Sequence, residues 1–124
     1  MSIQTPLGRV KGHGSARSGT GHFWRQRITA VALVPLTLWF VWAVVLYTGA
    51  PYPEVIAFLS NPISAVAMLL FVIAGLVHMS LGLQVVIEDY IHRESSKIAL
   101  LLLTYFAAFA VGAACVVAVL RIAI

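Results

Sequence analysis

The chain has 124 residues, of which 61% are hydrophobic and only 10% are charged, and its mean hydropathy is +0.99. Soluble domains usually carry about 25% charged residues, so this composition excludes an ordinary soluble globular protein. The formal net charge of +4 would suit a nucleic-acid-binding protein, but only if the basic residues formed a binding face.

Three apolar segments are each long enough to cross a bilayer, which takes about 20 residues in a helix. They run approximately over residues 28–48, 62–87 and 98–122, and within them Asp, Glu, Lys or Arg occurs only at the very end of the third. The sequence therefore predicts an all-α membrane protein with three transmembrane helices.

Several residues predict where these helices begin or bend. Pro35 predicts a kink in the first span, because proline removes one helical hydrogen bond. Asn61 and Pro62 suit the cap and the first residue of the second span. Ser95 and Ser96 are expected to cap the third span in a similar way.

Basic residues lie mainly at one end of the predicted helices. The loop between the first two spans has an acidic residue and no basic one, whereas the other side carries Arg9, Lys11, Arg17, Arg25, Arg27, Arg93 and Lys97. Positive residues mark the cytoplasmic side, so the N-terminus is predicted inside and the C-terminus outside. Only Arg121 disagrees. This arrangement favours membrane topology over nucleic-acid binding as the explanation of the charge.

The N-terminal segment, residues 1–24, is basic and rich in Gly and Ser. It lacks the apolar region of about 7–15 residues that a signal peptide needs, and its glycines disfavour a helix. We expect an irregular segment on the inner membrane face, followed by a three-helix anchor domain over residues 25–124. Cys115 is the only cysteine, which excludes an internal disulfide and a thiolate metal cluster.

His78 is the one histidine within a predicted span. Ionisable residues at this depth face a protein interior or a functional site, and neutral imidazole is a good ligand for haem iron. A hydrogen bond to a neighbouring helix would satisfy the ring equally well. Gly75 and Gly82 lie on the same helical face as His78. They predict either a groove that admits a flat macrocycle or a close contact between helices.

The second span ends in Glu88, Asp89 and Tyr90. Asp89 returns to nearly the face of His78, about 16 Å nearer the inner surface. A tyrosine beside a carboxylate would suit hydrogen bonding and proton transfer to a quinone. On these residues alone, a plain helix end is the favoured interpretation. Three helices cannot enclose a haem that needs two axial ligands, so the chain is expected to belong to a complex.

The stretch HMSLGLQVVIEDY resembles the second membrane helix of the small hydrophobic (D-type) anchor subunits of succinate dehydrogenase, respiratory Complex II. That helix has a histidine, a following glycine and Asp-Tyr at its inner end. The start of the chain is also similar to the family, because LGRVKGHGSARSGTGHFW leads into the Arg-x-Thr-Ala entry of RQRITAVALVPL. The resemblance covers nearly the whole chain.

The resemblance implies roles for four residues. His78 would be one axial ligand of the iron of a b-type haem shared with a second hydrophobic anchor subunit, which resembles a b-type cytochrome. Tyr90 would hydrogen-bond the ubiquinone head group, Asp89 would support it, and Arg27 would lie near the haem propionates and the quinone pocket. FAD and the iron–sulfur clusters would belong to the flavoprotein and iron–sulfur subunits.

The predicted function is that of a membrane anchor of succinate:quinone oxidoreductase, with no catalytic activity alone. Its predicted location is the bacterial inner membrane, ahead of the mitochondrial one. Two alternatives stay open. One is the anchor of a quinol:fumarate reductase, and the other is a structural assembly subunit without a redox site.

Overall fold

The computed structural model describes residues 5–12 and 19–124 of the chain. These residues form five helices, and short turns join the last four. The helices are α1 (Pro6–Lys11), α2 (Gly19–Tyr47), α3 (Tyr52–Ser60), α4 (Pro62–Tyr90) and α5 (Glu94–Ala123).

The prediction of three membrane-spanning helices is confirmed, because α2, α4 and α5 are each long and apolar enough to cross a bilayer. They have 29, 29 and 30 residues and are therefore longer than the predicted spans. A helix of this length extends about 44 Å, which exceeds the hydrocarbon core of about 30 Å. The additional turns reach the headgroup region.

The N-terminal segment is more helical than predicted. Thr5 caps α1 by accepting a hydrogen bond of 3.0 Å from the Gly8 backbone N–H, and Pro6 occupies the first helical position. Helix α2 already begins at Gly19 and continues through the boundary predicted after Trp24. An irregular conformation is therefore wrong for residues 6–11 and 19–24, and the rest of that prediction lies outside the described residues. The Thr-Pro pair was a local sign of α1.

The two predictions about helix starts have different outcomes. Asn61 caps α4 as predicted, because its side-chain oxygen accepts from the Ile63 N–H over 2.9 Å. Ser95 and Ser96 do not cap α5, since the helix begins at Glu94 with Arg93 in the cap position. A carboxylate in the first turn interacts favourably with the helix dipole, which favours the earlier start.

Helix α3 lies in the segment that the sequence indicated only as a loop between the first two spans. Pro51 and Pro53 at its start and Glu54 in its first turn are ordinary signs of a helix beginning. Phe58 holds α3 against α2, with ring centroids 6.0 Å from Trp39 and 4.6 Å from Tyr47. These rings form an aromatic cluster at this end of the bundle.

Helix α4 is the central element and packs against both α2 and α5. Of the described residues only six are buried, and five of them belong to α4: Ser64, Ala65, Ser80, Leu81 and Ile87. Most apolar side chains of the three long helices are therefore exposed. In a bilayer, lipid tails or neighbouring helices would cover them.

Candidate functional site

His78 lies on the face of α4 that packs against α2 and is half-buried. Its Nδ1 atom is 3.0 Å from the Thr29 hydroxyl oxygen on α2. The same hydroxyl oxygen lies 2.8 Å from the carbonyl oxygen of Arg25 and 3.1 Å from that of Gln26. The histidine is therefore tied to the neighbouring helix through one ring nitrogen.

The hydrogen-bond network assigns the proton on the His78 ring. A hydroxyl has one proton and two acceptor sites, and a threonine within a helix commonly donates that proton to the carbonyl one turn earlier. If the hydroxyl proton is directed to the carbonyls of Arg25 and Gln26, Thr29 is left to accept from Nδ1–H of His78. In neutral imidazole the other nitrogen, Nε2, then carries a lone pair.

The face of α4 that includes His78 is in contact with α2. A Cβ added at Gly75 would lie 4.0 Å from Leu33, and one added at Gly82 would lie 3.8 Å from the Gln26 side chain. Further along the same face, Phe71 stacks on Phe40 of α2 with ring centroids 4.6 Å apart. Side chains of α2 therefore cover this side of α4, which is not an open groove, although an added Cβ would fit at either glycine.

The predicted quinone residues lie at the end of α4. Tyr90 is 78% exposed, and Asp89 beside it is also exposed. Within the described part of the chain, neither side chain is hydrogen-bonded to another residue. Glu88, in contrast, accepts a hydrogen bond of 2.8 Å from the Gln84 amide. The described residues therefore leave the phenol and the Asp89 carboxylate available at this end of the bundle.

Arg27 has a partner that the sequence did not predict. Its guanidinium carbon lies 5.2 Å from the centroid of the Phe23 ring, a cation–π contact with the preceding turn of α2. Arg27 is two residues from Thr29, so the two side chains leave α2 in different directions. It is Thr29 whose side chain bonds to His78.

Sequence reasoning missed a second group of polar side chains. It lines one end of a groove of about 1300 Å³ formed by α4, α5 and the start of α2. Tyr105 donates its hydroxyl proton to Gln84 Oε1 over 2.7 Å, and the other side of that amide bonds to Glu88. Gln84 was a visible sign of this group, because an amide within an apolar span needs partners.

The structure separates the predicted site residues into two places. His78 lies within the bundle, whereas Asp89 and Tyr90 lie at its end, and these positions follow the spacing along α4. Among the described residues, no three His, Cys, Asp or Glu side chains come together as a metal-binding group.

Comparisons with known proteins identify the family. Residues 1–119 match the family model described as the succinate dehydrogenase/fumarate reductase transmembrane subunit. The chain is 36% identical to a succinate dehydrogenase hydrophobic membrane anchor subunit from Paracoccus denitrificans, over 98% of this chain and 93% of the relative. It is 42% identical to a protein of the same name from Rickettsia bellii, over 67% of this chain and 66% of the relative.

A third relative is a succinate dehydrogenase membrane anchor subunit from Reclinomonas americana, 33% identical over 66% of this chain and 71% of the relative. No solved structure matches the chain. The family match extends over almost all of the sequence and agrees with the three long apolar helices. The chain belongs to the family of succinate dehydrogenase/fumarate reductase transmembrane subunits.

Proposed function

We propose that this chain anchors a succinate:quinone oxidoreductase in the bacterial inner membrane, supplies one axial ligand to a b-type haem and contributes to the quinone-reduction site. The family membership and the names of the relatives support the anchor role. The bacterial sources of two of those relatives agree with the location. The observation that carries the proposal further is the state of His78, an imidazole within an apolar helix with one nitrogen already bonded.

The residues around His78 fit a haem ligand. Ligating histidines almost always donate their other ring N–H to an oxygen acceptor, and Thr29 is placed to be that acceptor. Among the described residues, Nε2 has no hydrogen-bond partner, so its lone pair can be used for iron. When bound, a b-type haem would supply a one-electron carrier within the membrane. This chain would hold the imidazole in place and keep it away from water.

The end of α4 fits a role in quinone binding. A quinone head group is an apolar ring with carbonyl edges, and a phenol can donate a hydrogen bond to one of those oxygens. Tyr90 would supply this donor, and Asp89 beside it would help deliver protons. Both side chains are exposed, as expected if partner subunits complete the quinone site. Arg27, whose guanidinium lies over the Phe23 ring, would lie near the haem propionates and the quinone pocket.

The same end of the bundle has charged residues that could receive the soluble subunits. The start of α2, the end of α4 and the start of α5 meet there, because consecutive spanning helices alternate in direction. The exposed side chains in this region include Arg25, Arg27, Asp89, His92, Arg93 and Glu94. We propose that the flavoprotein and iron–sulfur subunits, which would carry FAD and the clusters, dock on this end.

The two alternatives are a fumarate reductase anchor and a structural subunit without haem. The family description includes fumarate reductase as well as succinate dehydrogenase, whereas the printed names of the relatives are succinate dehydrogenase. The relatives therefore favour succinate oxidation. A structural subunit without haem would also accommodate the Thr29–His78 bond, but that bond uses only one of the two ring nitrogens.

The deciding experiment is a reduced-minus-oxidised visible spectrum of the complex purified through this chain. His78→Ala should abolish the b-type haem bands, because it removes the ligand. His92→Ala is the matched control, since His92 is exposed in the turn between α4 and α5. Haem bands that persist in His78→Ala at full intensity would overturn the role of His78 as a ligand. Absence of haem bands, together with unchanged quinone reductase activity in His78→Ala, would favour the structural alternative.

A further inference from the structure

Thr29 forms a side-chain hydrogen bond between the two helices that meet at His78. The two residues are 49 positions apart in the sequence, and their side chains approach to 3.0 Å. Both are partly buried where α2 packs on α4. Nothing in the anchor role itself requires a hydroxyl at this position, because an apolar side chain would pack equally well against a helix.

The Thr29 hydroxyl is held in place from its own helix. Its oxygen lies within hydrogen-bonding distance of the carbonyls of Arg25 and Gln26, at 2.8 Å and 3.1 Å. Threonine is β-branched, so its χ1 rotation is restricted in a helix. The Thr29 hydroxyl oxygen that faces His78 is therefore held in one position and does not move with the imidazole ring.

The close approach of α2 to α4 keeps this acceptor within reach. Gly75 and Gly82, one turn on either side of His78, face α2, and a Cβ added at either would lie at ordinary contact distance from an α2 side chain. An imidazole with one nitrogen tied to a fixed oxygen has a defined ring plane as well as a defined tautomer. Both properties affect how strongly a histidine binds a metal.

From this geometry we infer that Thr29 is a positioning residue for the haem ligand: its hydroxyl accepts Nδ1–H of His78, fixes the ring plane and leaves Nε2 as the donor to iron. This inference rests on the proposed haem-binding role of His78. Thr29 lies on a different helix from His78, and its proposed effect on the haem is transmitted through the imidazole of His78 without direct contact with the iron or the quinone.

The Thr29 hydroxyl should lower the reduction potential of the haem. A histidine that donates its N–H to an acceptor becomes a more basic ligand, and a more basic ligand favours the ferric state. Loss of the Thr29 hydroxyl should therefore raise the haem midpoint potential. It should also weaken haem binding, since loss of such a partner typically costs about 10-fold to 100-fold in affinity.

The test compares Thr29→Val, Thr29→Ser and Thr29→Ala in the purified complex. Valine keeps the shape and removes the hydroxyl, while serine and alanine differ from each other only in the hydroxyl. The readouts are haem content, the low-spin haem signal in electron paramagnetic resonance and the midpoint potential. Thr37→Val is the control, because Thr37 is an exposed threonine on the same helix.

The expected result is that valine and alanine lower haem content, shift the resonance signal and raise the potential, whereas serine and Thr37→Val stay close to the wild type. Equal potentials and equal haem contents in the serine and alanine variants would overturn the inference. That outcome would leave the haem proposal standing as long as His78→Ala still removes the haem. Retention of haem in His78→Ala would instead overturn both.

Discussion

The Tyr105 hydroxyl of α5 donates a hydrogen bond of 2.7 Å to Gln84 of α4. The amide nitrogen of Gln84 donates in turn to Glu88, one turn further along α4. This chain of three side chains satisfies both ends of the amide within an apolar helix, where an unpaired amide would be costly. It also links the central helix to α5, as the Thr29 bond links it to α2.

The Tyr105–Gln84 bond should make a small, measurable contribution to stability. Interhelical hydrogen bonds in a membrane protein average about 0.6 kcal/mol in double-mutant cycles. We expect a coupling energy of this size for Tyr105→Phe and Gln84→Leu, measured by SDS-induced unfolding of the full chain in micelles. A coupling energy indistinguishable from zero would contradict this prediction and would mean that the bond makes no net contribution to stability in the micelle.

Two glycines of the bundle should respond differently to alanine. A Cβ at Gly112 would lie 3.1 Å from the Leu76 side chain, so Leu76 must move, whereas a Cβ at Gly75 would find only ordinary contact at 4.0 Å. Alanine is better than glycine in a helix by up to about 1 kcal/mol. We expect Gly75→Ala to raise the free energy of unfolding and Gly112→Ala to gain less or to lose stability.

The Leu76→Ala background provides the control for this comparison. It removes the atom that the new Cβ at Gly112 would meet, so the difference between the two glycine variants should shrink there. The same SDS titration measures it. If Gly112→Ala is as stabilising as Gly75→Ala in the wild-type background, α4 and α5 are less closely packed than the structure indicates.

The sequence predicted the parts of the fold that depend on local composition. The three spans follow from continuous apolar segments, and the start of α4 follows from Asn61 and its preference for capping. Helix α3 was missed because its nine residues are too few for a span, and the loop was interpreted from its charge alone. The cap prediction for Ser95 was wrong because α5 already begins at Glu94, with Arg93 in the cap position.

The candidate site could be predicted only where it depends on one helix. From α4 alone, His78 was identified as the one histidine within a predicted span, and roles for Asp89 and Tyr90 were identified through the resemblance of this helix to the family. Thr29 was not, because its role arises from the approach of α2, and no periodicity in α2 marks a threonine as a partner of a distant histidine. The same reason explains Tyr105, whose partner Gln84 lies 21 residues away on another helix. The pattern of residues along one helix does not show which residues of another helix it contacts.

The orientation of the chain in the membrane is still a prediction from the positive residues. Arg9 precedes α2, Arg25 and Arg27 lie in its first turns, and Arg93 and Lys97 lie where α4 meets α5. Arg121 is near the opposite end. A reporter enzyme that is active only outside the cytoplasm should be active when fused after Ile124. The same reporter fused at the N-terminus should be inactive, and activity in the reverse pattern would contradict the predicted topology.

Tyr90→Phe tests the quinone role with the smallest possible change, because it removes one hydroxyl from an exposed side chain at the end of α4. We expect quinone reduction by succinate to fall, by roughly 10-fold if the lost hydrogen bond is worth about 1.4 kcal/mol in the transition state. Succinate oxidation with an artificial acceptor should be unchanged, since that electron path does not use the quinone pocket.

Tyr105→Phe removes a hydroxyl that is already bonded within the chain and is therefore the matched control, with quinone kinetics near the wild type. If Tyr90→Phe leaves quinone kinetics unaltered, the phenol does not contact the head group, and Tyr90 serves only as an aromatic residue at the membrane boundary.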